Sequence, residues 1–165
     1  MAQRHDPKDE KTDGGLPDPG RHEGLARAPG DAQQEEAYEL LRRGQTLLAG
    51  RHHAQAAVVL ERADRLEPGK ASILEALGQA YFNSGQHEHA RRAFEALLVL
   101  DPSAHYAHFA LGQSLKRLGR RAEAGTHLRL AVALSPATTL YREALARLEV
   151  PRQRPPGEQS RRSAD

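Results

Sequence analysis

The chain of 165 residues has no cysteine. Disulfides, thiolate metal sites and cysteine nucleophiles are therefore excluded. It also lacks any apolar run approaching the ~20 residues that a bilayer-spanning helix needs. The opening segment MAQRHDPKDEKTDGG carries no hydrophobic stretch of the secretory type. The expected setting is the cytoplasm, with no membrane partner. Lysine is scarce, at four against twenty arginines, and alanine, glycine and proline are plentiful. All of these favoured residues have GC-rich codons, so the bias reads as the imprint of a bacterial genome rather than of nucleic-acid recognition. Charge of one sign is missing too. Residues 1–32 hold five basic and seven acidic side chains, residues 33–150 fifteen and thirteen, and residues 151–165 four and two. No region is charged strongly enough to imply a polyanionic partner.

The first thirty residues contain Gly14-Gly15, Pro17-Asp18-Pro19-Gly20 and Pro29-Gly30, with only two leucines. Such a segment cannot bury enough apolar surface to offset the entropy of ordering it. The stretch from Pro151, PRQRPPGEQSRRSAD, has the same character. Residues 1–30 and 151–165 are therefore expected to be disordered tails around an ordered domain at 31–150. Asp31 is the expected N-cap of the first helix, with Gln34 completing a capping box.

Within that domain the chain repeats every 34 residues. Proline closes Glu67-Pro68, Asp101-Pro102 and Ser135-Pro136. A Gly-Gln pair recurs at Gly44-Gln45, Gly78-Gln79 and Gly112-Gln113, followed by a small residue at Ala56, Ala90 and Ala124. A bulky apolar residue keeps step at Leu60, Phe94 and Leu128. Each unit reads as two helices. Leu74, Leu77, Tyr81 and Phe82 have helical spacing and stop at Asn83-Ser84-Gly85; Ala90, Phe94, Leu97 and Leu98 form a second pattern before Pro102. Glycine inside a helix costs about 1 kcal/mol relative to alanine. Three such glycines in register imply a shared need, namely close approach of helices, with the three alanines as the opposing small surface. Leu140, Tyr141, Ala144, Leu145 and Leu148 form one more amphipathic helix, at 139–149, which reads as the cap of a stack.

A 34-residue helix–turn–helix period, with stretches such as LEALGQAYFNSGQHEHARRAFEALLVLDP, resembles the tetratricopeptide repeat (TPR) family over three repeats, 37–70, 71–104 and 105–138. Two departures stand out. Leu40, Leu74 and His108 replace the usual large aromatic of the first helix, and the turn glycine of the first unit is Gly50 rather than residue 51. The resemblance implies an all-α, right-handed helix–turn–helix solenoid.

No catalytic constellation is present. His87-Glu88-His89 lacks the spacing of a zinc-protease helix and falls, like His52 and His53, at an expected turn between helices; Gly69-Lys70 lacks the loop of a phosphate-binding motif; His105 and His108 are spaced for one helix face but have no carboxylate at ligand spacing. The chain is expected to be no enzyme, without cofactor, metal or small-molecule substrate.

In TPR proteins the first helix of each repeat lines a concave groove that binds peptides. Carried onto this chain, the resemblance assigns to the groove Tyr38, Leu41, Gln45, Leu48 and Ala49 from the first repeat. It assigns Ser72, Glu75, Gln79, Phe82 and Asn83 from the second, and Tyr106, Phe109, Gln113, Lys116 and Arg117 from the third. The aromatics would be apolar anchors, and the three glutamines, each both donor and acceptor, could hold a peptide backbone. Lys116 and Arg117 make one end basic. Some family members grip chaperone C-termini with a basic clamp; here its places hold Leu41, Gln45, Ala76, Tyr106 and Ala110, so the clamp is missing. The expected partner is a protein or peptide segment held by an adaptor. One rival is a dedicated client chaperone like the three-repeat translocator chaperones of type III secretion. A more distant rival is nucleic-acid binding through Lys116, Arg117, Arg120 and Arg121 with the tail arginines Arg152, Arg154, Arg161 and Arg162.

Overall fold

A computed structural model of the chain describes residues 29–149. They form seven helices: α1 (Pro29–Ala49), α2 (His53–Leu66), α3 (Ala71–Asn83), α4 (His87–Leu100), α5 (His105–Arg117), α6 (Arg121–Leu134) and α7 (Thr139–Glu149). No strand occurs among the described residues. Each helix packs on its sequence neighbours, and α1 touches α3 as α3 touches α5. The architecture is the expected all-α helical solenoid. The expected tails lie outside the described residues except for Pro29 and Gly30, which open α1. The first helix thus starts three residues early, at Pro29 rather than after an Asp31 cap. Asp31 sits in its first turn rather than at the N-cap, where its charge complements the positive helix end. Proline is harmless at a first helical position because the N–H it lacks has no intrahelical partner there.

The first helix of every unit ends in the same hydrogen-bonded turn. In α3 the Gln86 N–H reaches the Tyr81 carbonyl at 2.8 Å and the Gly85 N–H reaches Phe82 at 3.1 Å. Arg120 to Leu115 and Gly119 to Lys116 repeat the pattern after α5, and His52 to Leu47 and Arg51 to Leu48 repeat it after α1. This pairing satisfies the last orphan carbonyls and requires a left-handed residue just past the helix. Gly85 and Gly119 supply it with φ of 81°, whereas in the first unit Arg51 adopts φ of 60°.

The repeated glycines mark the tightest contacts. A Cβ added at Gly44, Gly78 or Gly112 would lie 2.5, 2.7 and 2.8 Å from Leu60, Phe94 and Leu128 respectively. Those three side chains, like Ala56, Ala90 and Ala124, are almost completely buried on the second helices.

The ends of the stack are written in the same register. Ile73, Ala76, Leu77 and Ala80 of α3 are buried, as are Ala107, Ala110, Leu111 and Ser114 of α5. On α1 the equivalent positions are Glu39, Arg42, Arg43 and Thr46, all exposed. No earlier helix could dock on that face without burying charge. At the far end Tyr141, Ala144 and Leu148 of α7 are buried at the same positions, so α7 stands where a fourth first helix would stand. Its outer positions, equivalent to Leu74, Gly78 and Tyr81, are Arg142, Ala146 and Glu149, and all are exposed. That polar face makes α7 a cap. The Arg121 guanidinium ties it down by donating to the Leu148 carbonyl. Leu140, expected within the apolar stripe of this helix, is instead 52 % exposed.

Candidate interaction groove

The helices α1, α3 and α5 present their groove positions side by side, and α7 extends the row. The 34-residue register sets Ser72 beside Tyr106 and Leu140, and Glu75 beside Phe109 and Glu143. Phe82 and Asn83 correspond to Lys116 and Arg117.

Between α3 and α5 the face dips into a cavity of about 160 Å³ lined by Gln79, Phe82, Asn83, Phe94, Tyr106, Phe109, Ala110 and Gln113. Its walls are an aromatic chain. Phe94 meets Tyr106 edge to face at 6.3 Å between centroids, Tyr106 lies 6.4 Å from Phe109, and Phe109 stacks on Tyr141 at 4.8 Å. Phe82 lies 5.3 Å from the His87 ring. The Tyr141 hydroxyl is anchored to His105 Nδ1 at 2.9 Å. Offset and edge-on aromatic contacts of this kind hold rings in place more firmly than apolar burial alone. Phe82, Tyr106 and Phe109 remain half-buried, each with one side on the core and one toward the groove.

Electrostatics differ along the crevice. Burial, then the nearby Glu75 carboxylate, pushes the Tyr106 phenol above its usual value against the opposing hydrogen bond of Gln79. The Gln79 amide also donates to Glu75 at 3.4 Å. At the other end burial, then the charge of Arg117, holds His87 below its usual value. Its Nδ1 is buried without a hydrogen-bond partner.

The structure thus brings six of the sequence-assigned residues, Gln79, Phe82, Asn83, Tyr106, Phe109 and Gln113, around one cavity. Lys116 and Arg117 follow one turn further along α5, half-buried and exposed respectively. Tyr38, Leu41 and Gln45 stand apart, with Arg42, Thr46 and Ala49, around a separate open hollow on α1. Gln45 therefore does not share a cavity with Gln79 and Gln113. Leu41 is 6 % exposed and belongs to the core, Leu48 is half-buried against it, and Tyr38 is 52 % exposed. Glu75 is exposed on α3.

Sequence reasoning missed Phe94 as the floor of the cavity, and Tyr141 with His105 as its far support. Spacing held a signal for Tyr141, which falls 34 residues after Ala107 and 68 after Ile73. His108, in the place of a family aromatic, is buried. Its Nε2 faces the Pro102 carbonyl at 3.0 Å and its Nδ1 faces His127 Nδ1 at 3.0 Å. Among the described residues no group of three or more His, Asp or Glu is placed to hold a metal ion, and no helix is long and apolar enough to cross a membrane.

Comparison with known proteins bears on the fold. The tetratricopeptide repeat profile matches residues 75–138. Superkiller complex protein 3 of Mus musculus is 32% identical over 94 residues, which is 57% of this chain. The chain spans only 6% of that relative's length. Among solved structures, the Arabidopsis OM64 TPR domain superposes with a TM-score of 0.67 at 20% identity, covering 70% of this chain and 96% of that one. The first TPR of Spaghetti (RPAP3), bound to the HSP90 peptide SRMEEVD, gives 0.66 at 16% identity, covering 70% and 91%.

Proposed function

We propose that this chain, a tetratricopeptide-repeat protein by the profile over residues 75–138 and by its fold, serves as a protein-interaction module whose concave groove takes a peptide segment of another polypeptide. The observation that carries this reading is the cavity between α3 and α5, walled by half-buried Phe82, Tyr106 and Phe109. Rings already fixed by their neighbours lose little freedom on binding, and aromatic anchors dominate interface energies. Gln113, on the cavity wall, has both a donor and an acceptor for a peptide backbone. Repeats of this family generally serve as interaction folds, and no catalytic step is assigned to this one. Leu41, Gln45, Ala76, Tyr106 and Ala110 offer no basic clamp, so affinity rests on apolar anchoring.

The test is to isolate the native partner by affinity capture and map the contact by hydrogen exchange. Added protection on α3 and α5 supports the groove. Protection confined to the outer faces of α2, α4 and α6 would overturn it.

A further inference from the structure

The crevice along α5 carries opposite charges at its two ends. At the end where α5 begins, a second hollow of about 330 Å³ shares Tyr106 with the aromatic cavity and is bordered by Glu75, Asp101, Ser103 and His105. Asp101 is fixed there, with one carboxylate oxygen accepting from the Ser103 N–H at 2.9 Å and from its hydroxyl at 2.6 Å. Those bonds favour the charged form and hold the carboxyl below its usual range. At the other end stand Lys116 and Arg117, one turn beyond Gln113. Among the described residues neither Glu75 nor Asp101 has an ion-pair partner, and neither do Lys116 and Arg117. Most other charged groups on the second helices are engaged: Arg91 with Glu88 and Glu95 at 2.5 Å, Arg120 with Glu123 at 2.6 Å, and Arg62 with Glu36. Glu39, Arg42, Arg43 and Arg65 also stand without an ion pair among the described residues, but of these open charges it is Glu75, Asp101, Lys116 and Arg117 that flank the α5 crevice.

Resting on the groove reading above, we infer that this crevice takes a linear segment lying along α5 with one bulky apolar side chain in the Phe82–Tyr106–Phe109 cavity. A basic residue of that segment faces Glu75 and Asp101, and an acidic residue faces Lys116 and Arg117. The dimensions set its length. From His105 to Lys116 the helix rises about 16 Å, which an extended chain covers in about five residues. The charges thus stand about two positions to either side of the anchor. The helix dipole alone accounts for cations in the last turn of α5. It gives no reason for exposed Glu75 in the middle of α3, whose charge reaches the Tyr106 phenol at the cavity edge. Charge placed at both ends of an apolar cleft selects partners by sign more than it adds affinity.

The test uses an array of end-blocked peptides in which Leu, Phe or Met is the anchor. The residues two positions before and after it are set to Lys or Glu in all four combinations. The intact chain should retain mixed-sign peptides at least fivefold more strongly than Lys/Lys or Glu/Glu peptides. Lys116→Glu with Arg117→Glu should shift the preference to Lys/Lys, and Glu75→Lys should shift it to Glu/Glu. These side chains lie off the core, and a circular dichroism melt of each variant checks that it is folded before its peptides are ranked. If all four combinations bind equally and the variants keep that ranking, the charge assignment is wrong while apolar anchoring stands. If no peptide binds in any combination, the groove reading itself falls, and this inference with it.

Discussion

A Cβ added to Gly78 would lie 2.7 Å from the Phe94 ring, within a contact that no substituted residue could make unmoved. Phe94 cannot yield easily, being 1 % exposed, pressed edge-on by Tyr106 and forming the floor of the groove cavity. The helix accepts a glycine cost of about 1 kcal/mol in return for this approach. Gly78→Arg should therefore abolish the cooperative thermal transition or lower it severely, because the long side chain must separate α3 from α4. Phe94→Ala should cost about 3–5 kcal/mol in urea unfolding, a large part of the roughly 5–15 kcal/mol that stabilises a typical domain. A wild-type melting temperature for Gly78→Arg would refute the close approach.

Arg51 should be a point of stored strain. It holds φ of 60° in a turn where Gly85 and Gly119 hold 81°. The left-handed conformation costs a residue with a Cβ roughly 1–2 kcal/mol, partly offset by the roughly 0.5–1 kcal/mol that glycine forfeits in unfolded-chain entropy. Arg51→Gly should thus stabilise the chain by up to about 1 kcal/mol, and Gly85→Arg should do the reverse. Equilibrium denaturation of both variants measures the pair. A destabilising Arg51→Gly would mean that the arginine makes a contact worth more than the strain.

Stability should fall on mild acidification. His108 Nε2 can only donate to the Pro102 carbonyl, which leaves its Nδ1 to accept from the Nδ1–H of His127. Burial, then His108, holds His127 below the ordinary 6.5, against the pull of Glu95 and Glu123. The folded chain therefore binds a proton at His127 less readily than the unfolded chain does. The resulting stabilisation is complete above about pH 6.5 and is lost as pH falls through the lower folded value. His87 acts in the same direction. The urea midpoint should drop between about pH 7 and about pH 5, and His127→Gln should flatten part of that slope. A midpoint that rises on acidification would contradict the arrangement.

The helices were legible because each 34-residue unit repeats its proline, Gly-Gln pair and small residue, and one packing geometry answers all of them. The start of α1 was hidden because Pro29-Gly30 reads as a breaker inside a segment and not at a helix end. Arg51 shows the reverse: the shifted glycine was visible, but the strain at 51 is a backbone property that only coordinates reveal. For the groove, spacing put Phe82, Tyr106 and Phe109 on one face. It could not tell that Gln79 and Gln113 share a cavity while Gln45 stands apart, since that depends on how side chains from different helices meet. His108 stands at the repeat position of Leu40 and Leu74 and His127 at that of Ala93, so the register pairs them with no other histidine and nothing in the sequence joined the two.

The groove should be separable from the outer surface by mutation. Tyr106→Ala combined with Phe109→Ala should weaken the native partner at least tenfold, roughly 1.4 kcal/mol, because truncated aromatic anchors commonly cost about 2 kcal/mol or more. Both rings also have structural neighbours, Tyr106 against Phe94 and Phe109 stacked on Tyr141, so a binding loss is meaningful only at temperatures where the variant remains folded. Tyr141→Phe supplies a control: it keeps the stack on Phe109 and removes only the hydroxyl bonded to His105. That change should cost about 0.5–1.5 kcal/mol of stability and leave affinity within a few-fold of wild type. On the opposite face Val99 is 82 % exposed and Leu100 52 %. Changing both to serine removes apolar surface without touching the groove, so it should leave partner binding unchanged. If the serine pair loses the partner while the folded aromatic double variant keeps it, the binding face is the outer layer of α4 and not the groove between α3 and α5.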